Sequence, residues 1–344
     1  MATFQSPLPH DGLDDDTVGD APDPGPDSEL RTLSVPPELH GQRLDRCLVS
    51  LVGEFSRSYL QQLVEAGSVS VSGLPVTKNS AKLRAGEVLA IELRPTVQSQ
   101  AFAPETMALH VVFEDAFLLV VNKPAGLVVH PAPGNWSGTM LNGLLARDGS
   151  AATLPRAGIV HRLDKDTSGL MVVAKTRGAM DGLVQRIAAR DVSRQYIALG
   201  HRIWRGEPTR QVDAAIGRDV RNRLRMAVVD LSKNSGKSAS SLLKMLQNQE
   251  SFCWVQANLH TGRTHQIRVH MAHLGHPLVG DELYGGAPAL GLTRQALHAQ
   301  RLAFEHPITQ EPMAFEAALP DDLQSAAQTA GFETAGFETT GFDV

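Results

Sequence analysis

One carboxylate sits among basic neighbours. In the run His161-Arg162-Leu163-Asp164-Lys165-Asp166-Thr167-Ser168-Gly169-Leu170-Met171, Asp164 has His161, Arg162 and Lys165 within three positions. Positive charge nearby favours the ionised form of a carboxylic acid. Apolar residues flank the run: Ala157-Gly158-Ile159-Val160 before it and Leu170-Met171-Val172-Val173-Ala174 after it. This pattern predicts two short buried strands joined by a charged loop. An ionised carboxylate on a loop between rigid strands is available as a nucleophile or a general base. A solvated, salt-bridged turn has the same composition, so the rest of the chain has to separate the two readings.

A partner for Asp164 lies in His260-Thr261-Gly262-Arg263-Thr264-His265-Gln266-Ile267-Arg268-Val269-His270. Gly262 allows a turn after the strand-like Trp254 to Leu259, and Thr264 is placed to cap a helix. Ile267, Met271 and Leu274 share the buried face of that helix, and Gly275 with Pro277 ends it. Arg268 stands at the edge of the buried face, where an arginine needs an anion because an unpaired buried charge is costly. Asp164 is the expected anion, gripped by the planar guanidinium fork. Five histidines fall between His260 and His276. They lack the His-Glu-x-x-His spacing, and no cysteine or carboxylate cluster joins them. Structural or RNA-contacting roles are expected, and no metal or cofactor. Arg221, Arg223 and Arg225 alternate after Arg218. On a strand they would share one face, a geometry for phosphates, with a solvated hairpin as the equal alternative.

The elements that must carry these residues fall into two parts. Over residues 37–94, Leu44, Leu48 and Leu51 line one helical face. Ser56 is placed to cap a second helix bearing Tyr59, Leu60, Leu63 and Val64, and Gly67 ends it. Val69 and Val71 lead to a turn at Gly73, and Val88 to Ile91 form another strand. Arg43, Arg46, Arg57, Lys78, Lys82 and Arg84 decorate this module. Residues 95–106 read as a linker. From 107 to 318, strands dominate: Val111 to Phe113, Phe117 to Val121, Leu127 to Val129, and Arg194 to Leu199, with a helix from Met180 to Ala189. Short strands joined by turns predict an α+β domain with a mixed, mainly antiparallel central sheet and flanking helices, preceded by the small α/β module.

Composition limits the partners. Of 344 residues, 42% are hydrophobic and 20% charged, ordinary values for a soluble globular protein. No apolar run is long enough to span a bilayer, and no basic start or apolar signal core opens the chain, so a cytoplasmic protein is expected. Cys47 and Cys253 imply no disulfide framework. The net charge of −5 hides a segregation. Residues 1–30 and 302–344 each hold eight acids and no Lys or Arg. That leaves 21 acids against all 32 bases, so residues 31–301 carry about +11, the footprint of a polyanion partner. Residues 1–34, rich in Asp, Pro and Gly, are expected to be disordered. Residues 319–344 are expected to form a flexible acidic tail, ending in three five-residue units, each with a Gly-Phe pair.

Residues 37–94 resemble the S4 RNA-binding domain, in the stretch from Phe55-Ser56-Arg57-Ser58-Tyr59-Leu60 through Gly67 to Gly73. His161 through Leu170 resembles the signature of the RluA-type RNA pseudouridine synthases. Three more blocks resemble that family in the same order: Asn122-Lys123-Pro124-Ala125-Gly126-Leu127-Val128-Val129-His130-Pro131, Arg194-Gln195-Tyr196-Ile197-Ala198, and Gly262 through His270 continuing into Gly275-His276-Pro277-Leu278-Val279-Gly280-Asp281. The likeness covers about residues 37–315. It implies the pseudouridine synthase fold, an isomerase activity on uridine in RNA without a cofactor, and an RNA partner. It also implies that Asp164 attacks the nucleoside, at ribose C1′ or as a base. Tyr196 would pack on the target base, Arg268 pair with Asp164, Ile267 wall the pocket, and Arg162 fill the gap left by a flipped base. His161 and Arg263 are expected beside them at the substrate, and Arg57, Arg221, Arg223 and Arg225 on RNA. Within the family the likeness is greatest to the D-type enzymes of the large-subunit (23S) ribosomal RNA, with other ribosomal sites or tRNA as alternatives. A monomer is expected. The competing class is a non-catalytic S4-type assembly factor; a glycosidase would need two carboxylates at a set separation.

Overall fold

A computed structural model describes residues 29–94, 99–132, 134–222 and 224–333. The chain divides into two compact units, residues 1–99 and 100–344.

The first unit opens with β1 (Glu29–Ser34), followed by the helices α1 (Leu44–Leu51) and α2 (Arg57–Glu65) and the strands β2 (Val69–Val71), β3 (Leu74–Pro75) and β4 (Val88–Leu93). The strands lie in the order β1-β4-β2-β3, all antiparallel. Ser56 caps α2 as its position predicts, accepting the Tyr59 N–H at 3.3 Å. Leu44, Leu48, Leu60, Leu63, Leu89 and Ile91 meet in one core. β1 corrects an expectation: its residues lie within 1–34, the stretch expected to be disordered, yet they pair with β4 along six residues. Residues 1–28 lie outside the described residues.

The second unit is built on a large mixed sheet. Its strands are β5 (Val111–Glu114), β6 (Leu118–Lys123), β7 (Ser168–Ala174), β8 (Ser193–His201) and β9 (Thr209–Asp213). The hairpin-like excursion β10 (Ile216–Arg218), β11 (Met226–Val228) and β12 (Gly236–Lys237) forms a small separate sheet. The main sheet resumes with β13 (Ser240–Gln249), β14 (Phe252–Leu259), β15 (Leu297–Glu305) and β16 (Pro312–Glu316). The order is β5-β6-β7-β15-β8-β14-β13-β9, with β16 also on β15. All recorded pairings in it are antiparallel except β7 with β15. The sheet is therefore mixed and mainly antiparallel, as the short turn-linked strands predict. At the β7–β15 crossing the backbones nearly touch. Gly169 has φ +115°, and a Cβ there would lie 2.2 Å from the Ala299 carbonyl oxygen, so only glycine fits.

The helices are α3 (Met140–Arg147), α4 (Arg177–Ala189), α5 (Gln266–His273) and α6 (Asp321–Thr329). β7 is buried along its whole length. Met171 and Val173 face one layer with Tyr196, Ala257, Met140 of α3 and Ile267 of α5. Leu170 and Val172 face the other, against Leu183 of α4. Farther along that second face, Leu323 of α6 packs with Trp254 and Ile197.

Several expectations are corrected. Leu127 to Val129 is irregular: it provides carbonyls to the start of α3, Met140 N–H reaching Val128 O at 2.8 Å. Ala157 to Val160 is no strand. Pro155–Gly158 form a 3-10 turn with Arg156 and Ala157 at φ +54° and +52°, and Ile159 makes a lone bridge to Val173. Sequence hydrophobicity cannot tell such a buried turn from a short strand. Residues 99–102 form another 3-10 turn, and Asn142 of α3 donates to the Ala101 and Ala103 carbonyls, so the expected linker ends inside the second unit. The expected tail from 319 begins instead with α6, and Phe332 of the first five-residue unit is buried, stacked on Trp254 at 5.6 Å between ring centroids. The later units lie outside the described residues.

Candidate active site

The Asp164 loop connects the Pro155–Gly158 turn to β7 and is held at several points. Lys123, at the end of β6 and 1% exposed, donates to the carbonyls of Pro124 (2.8 Å), Leu127 (2.9 Å) and Lys165 (2.8 Å). Burial pushes its ammonium down to about 7, opposed by the charges of Asp166 and Asp164. Three carbonyl acceptors take three N–H donors, which only the charged form has, and this favours the ammonium. Gly126 N–H also reaches Lys165 O at 2.9 Å, and Arg294 Nη1 donates to Asp166 O at 3.0 Å. Thr167 N–H closes the turn onto Asp164 O at 3.1 Å.

His161 lines the cavity as expected but spends its ring nitrogen on the protein. Its Nε2 accepts the Val172 backbone N–H at 3.1 Å, tying the loop to β7. Burial, with the charge of Arg194, lowers it to about 3, so it stays a neutral acceptor.

Arg268 reaches Asp164 as expected, with Nη1 to Oδ2 at 3.2 Å. The fork, however, belongs to Asp281: Nε and Nη2 meet its two carboxylate oxygens at 2.7 and 2.8 Å. Asp281 is buried, and the guanidinium also lies 4.9 Å from the Tyr284 ring centroid. Asp281 thus sets the direction of Arg268, leaving one N–H edge for Asp164. The same logic that assigned Asp164 to a buried arginine could have found Asp281, the first carboxylate after the apolar turn Pro277 to Gly280.

The N-terminus of α5 differs from expectation as well. Its cap position is His265, in the left-handed region at φ +57°, and Thr264 does not cap it. Gln266 instead ties the preceding loop to the helix, its Oε1 accepting from Arg263 N–H at 3.0 Å and Thr261 Oγ1 at 2.7 Å. The unusual backbone turns the His265 ring so that Nε2 lies 3.8 Å from Asp164 Oδ1 and Nδ1 2.8 Å from Tyr284 Oη. Burial lowers its pKa. Three other histidines of this region bond within the protein: His260, which also lines the cavity, meets Ser240 Oγ through Nδ1, His270 bridges Ser241 Oγ and Ala214 O, and His276 Nδ1 meets His201 O.

These groups open onto a cavity of about 770 Å³, within the range of small-ligand sites. Asp164, Tyr196, Arg268, Ile267, Arg162, Arg263 and His161 all line it, so the structure gathers every residue expected at the substrate. Tyr196 comes from β8 and is 5% exposed. Burial pushes its phenol up to about 12, with Arg194 opposing and Asp164 adding, so the hydroxyl remains protonated. Ile267 is buried and Arg162 exposed at the rim. Arg263 Nε is held by Ser238 O at 2.9 Å. His130 and Arg194, singled out only as parts of longer motifs, line it too; burial, then Arg156 and Arg162, lower His130 to about 4.

The basic residues expected on RNA lie outside this cavity. Residues 221, 222, 224 and 225 lie between β10 and β11 outside any strand, so Arg221 and Arg225 do not share a strand face. Arg225 Nε binds Asp219, while Arg221 is exposed; Arg223 lies outside the described residues. Arg57, in the first unit, donates to the buried Asp45 at 2.6 Å with half of its side chain exposed.

A carboxylate pinned on a loop, faced by a directed arginine and a protonated tyrosine in a deep cavity of an α+β domain, defines an enzyme site built on acid–base or nucleophilic chemistry. The RNA pseudouridylate synthase family profile matches residues 117–273, and the S4 domain matches residues 42–89. The chain is 48% identical over 303 residues to the ribosomal large subunit pseudouridine synthase D of Neisseria meningitidis serogroup A, covering 85% of this chain and 79% of that protein. It is 45% identical to the protein of the same name in Xanthomonas campestris, covering 87% and 92%. Among solved structures, human RNA pseudouridylate synthase domain containing 1 superposes with a TM-score of 0.50 at 27% identity, covering 65% of this chain and 85% of that one. The chain belongs to the RNA pseudouridylate synthase family, an isomerase family, and carries an S4 domain at its N-terminal end.

Proposed function

We propose that this enzyme isomerises uridines to pseudouridine in large-subunit ribosomal RNA, with Asp164 as the reacting group. The observation that carries the chemistry is the Asp164 carboxylate, anchored through its loop and met by one edge of Arg268 inside the cavity. The ribosomal target rests on the relatives that share most of its length.

The reaction breaks a C–N glycosidic bond, turns the uracil and rejoins it through carbon, with no redox change. Addition of Asp164 to ribose C1′ and proton removal from the sugar both use a carboxylate oxygen lone pair, and the single bond from Arg268 leaves such lone pairs free. Asp281 keeps Arg268 aimed without competing for the Nη1 that faces Asp164. Tyr196 offers an aromatic platform for a base taken out of its stack, and Ile267 closes the apolar wall. Exposed Arg162 at the rim is placed to enter the space the base leaves. The S4 domain and the exposed Arg221 supply contacts to the RNA backbone. On this reading the enzyme acts in the cytoplasm as a monomer. No helix among the described residues is long and apolar enough to cross a membrane.

Mapping pseudouridine across ribosomal RNA from cells with and without this gene tests the assignment. Specific large-subunit sites should revert to uridine in its absence; an unchanged ribosomal map would overturn the target.

A further inference from the structure

Arg194 sits on β8 two residues before Tyr196, so the two side chains share a strand face. It is 7% exposed and lines the cavity. Its Nε is buried without a hydrogen-bond partner, and among the described residues no carboxylate or carbonyl binds its guanidinium. The other arginines lining this cavity either have a hydrogen-bond partner, as Arg268 has in Asp281 and Arg263 in Ser238 O, or are exposed, as Arg156, Arg162 and Arg190 are. Gly262 makes room for the group: a Cβ there would lie 3.0 Å from Arg194 Nη1. A buried guanidinium N–H without an acceptor is costly. The cost is offset when a ligand brings negative charge into the cavity.

Resting on the function proposed above, we infer that Arg194 is a catalytic residue that binds the uracil as it leaves the sugar. When the C1′–N1 bond breaks, its electron pair departs on the base, producing a uracil anion with charge spread over N1 and the two carbonyl oxygens. When C1′ rejoins at C5, the C5 proton is lost and N1 takes one up, so the product is an isomer. Negative charge therefore exists on the base only between the two bonds, and a fixed cation beside it stabilises that stage over the bound substrate. A backbone phosphate is the less suited anion: it keeps its solvent side, whereas Arg194 lies beside the buried Tyr196.

The test uses the full chain and a large-subunit ribosomal RNA transcript under single turnover at saturating enzyme. Arg194→Gln should lower the rate constant about 10²-fold, leaving the RNA Kd and its salt dependence as in the wild type. Arg194→Lys keeps the charge but loses the fork and should recover part of that rate; it carries the same rate-against-affinity comparison should the Gln variant melt early. Weaker binding with a salt slope reduced by about one and an unchanged saturated rate would make Arg194 a phosphate clamp and overturn the inference. A normal rate and affinity would overturn it equally. Wild-type turnover on the same transcript separately checks the parent assignment, and its absence overturns both.

Discussion

Two carboxylates in this molecule are surrounded by arginines, and they are built for opposite ends. Asp45, in the first unit, is wholly buried and accepts from Arg43, Arg57 and Gln61. Asp164, in the second, is partly exposed to a cavity and takes one 3.2 Å bond from Arg268, with His265 at 3.8 Å. The arginines around Asp45 are about half exposed, so that carboxylate organises surface groups and has little capacity left. Around Asp164 the arginine is buried and committed to a second carboxylate, so the first retains oxygen lone pairs for a substrate. What separates the saturated acid from the one proposed to react is how completely its donors satisfy it.

Substitutions can sharpen or break that contrast. The largest effect should come from Asp164→Asn, which keeps the shape and removes the charge: pseudouridine formation should fall by about 10⁴-fold or more with RNA affinity retained. Persistent turnover would show that another group reacts. Next, Asp281→Asn leaves the Arg268 charge buried without its fork partner and should cost about 3–5 kcal/mol, read as an earlier melting transition of the second unit together with lost activity. A variant that melts normally would mean Arg268 is held by Asp164 instead.

Lys123→Met tests the loop rather than the carboxylate. Without the three carbonyl contacts Asp164 is free to drift, and an error of about 1 Å in position costs about 10²-fold in rate; RNA affinity should hold. The smallest effect is expected at Asp45→Asn. Its arginines can rehydrate, so only charge-assisted hydrogen bonds are lost, about 1.5–3 kcal/mol, in the first unit alone. Arg43 above all holds the Asp45 carboxyl well below its ordinary range. A depressed carboxylate stabilises fully above the unfolded value near pH 4 and loses that contribution as the pH falls through the folded one. Acid denaturation of the first unit followed by circular dichroism should therefore be shallower in Asp45→Asn; an identical acid limb would remove Asp45 from the account.

The chain itself determined a good deal. Ser56 and Gly67 marked the ends of α2, short strands with turn residues implied a mixed sheet, and charge around Asp164 singled it out as a residue that the structure places in the cavity. Caps, periodicity and local charge depend on residues a few positions apart, and so they are legible in order. The tertiary structure decided the rest, because the deciding contacts join distant segments. It gave the Arg268 fork to Asp281, set His161 against Val172, and turned Ala157 to Val160 into a buried bend. It tied Arg225 to Asp219 outside any strand and docked Phe332 on Trp254. Above all it left Arg194 buried with no partner. No spacing along the chain reveals an unpaired charge, since pairing is settled only when the strands and helices that carry the candidates have met.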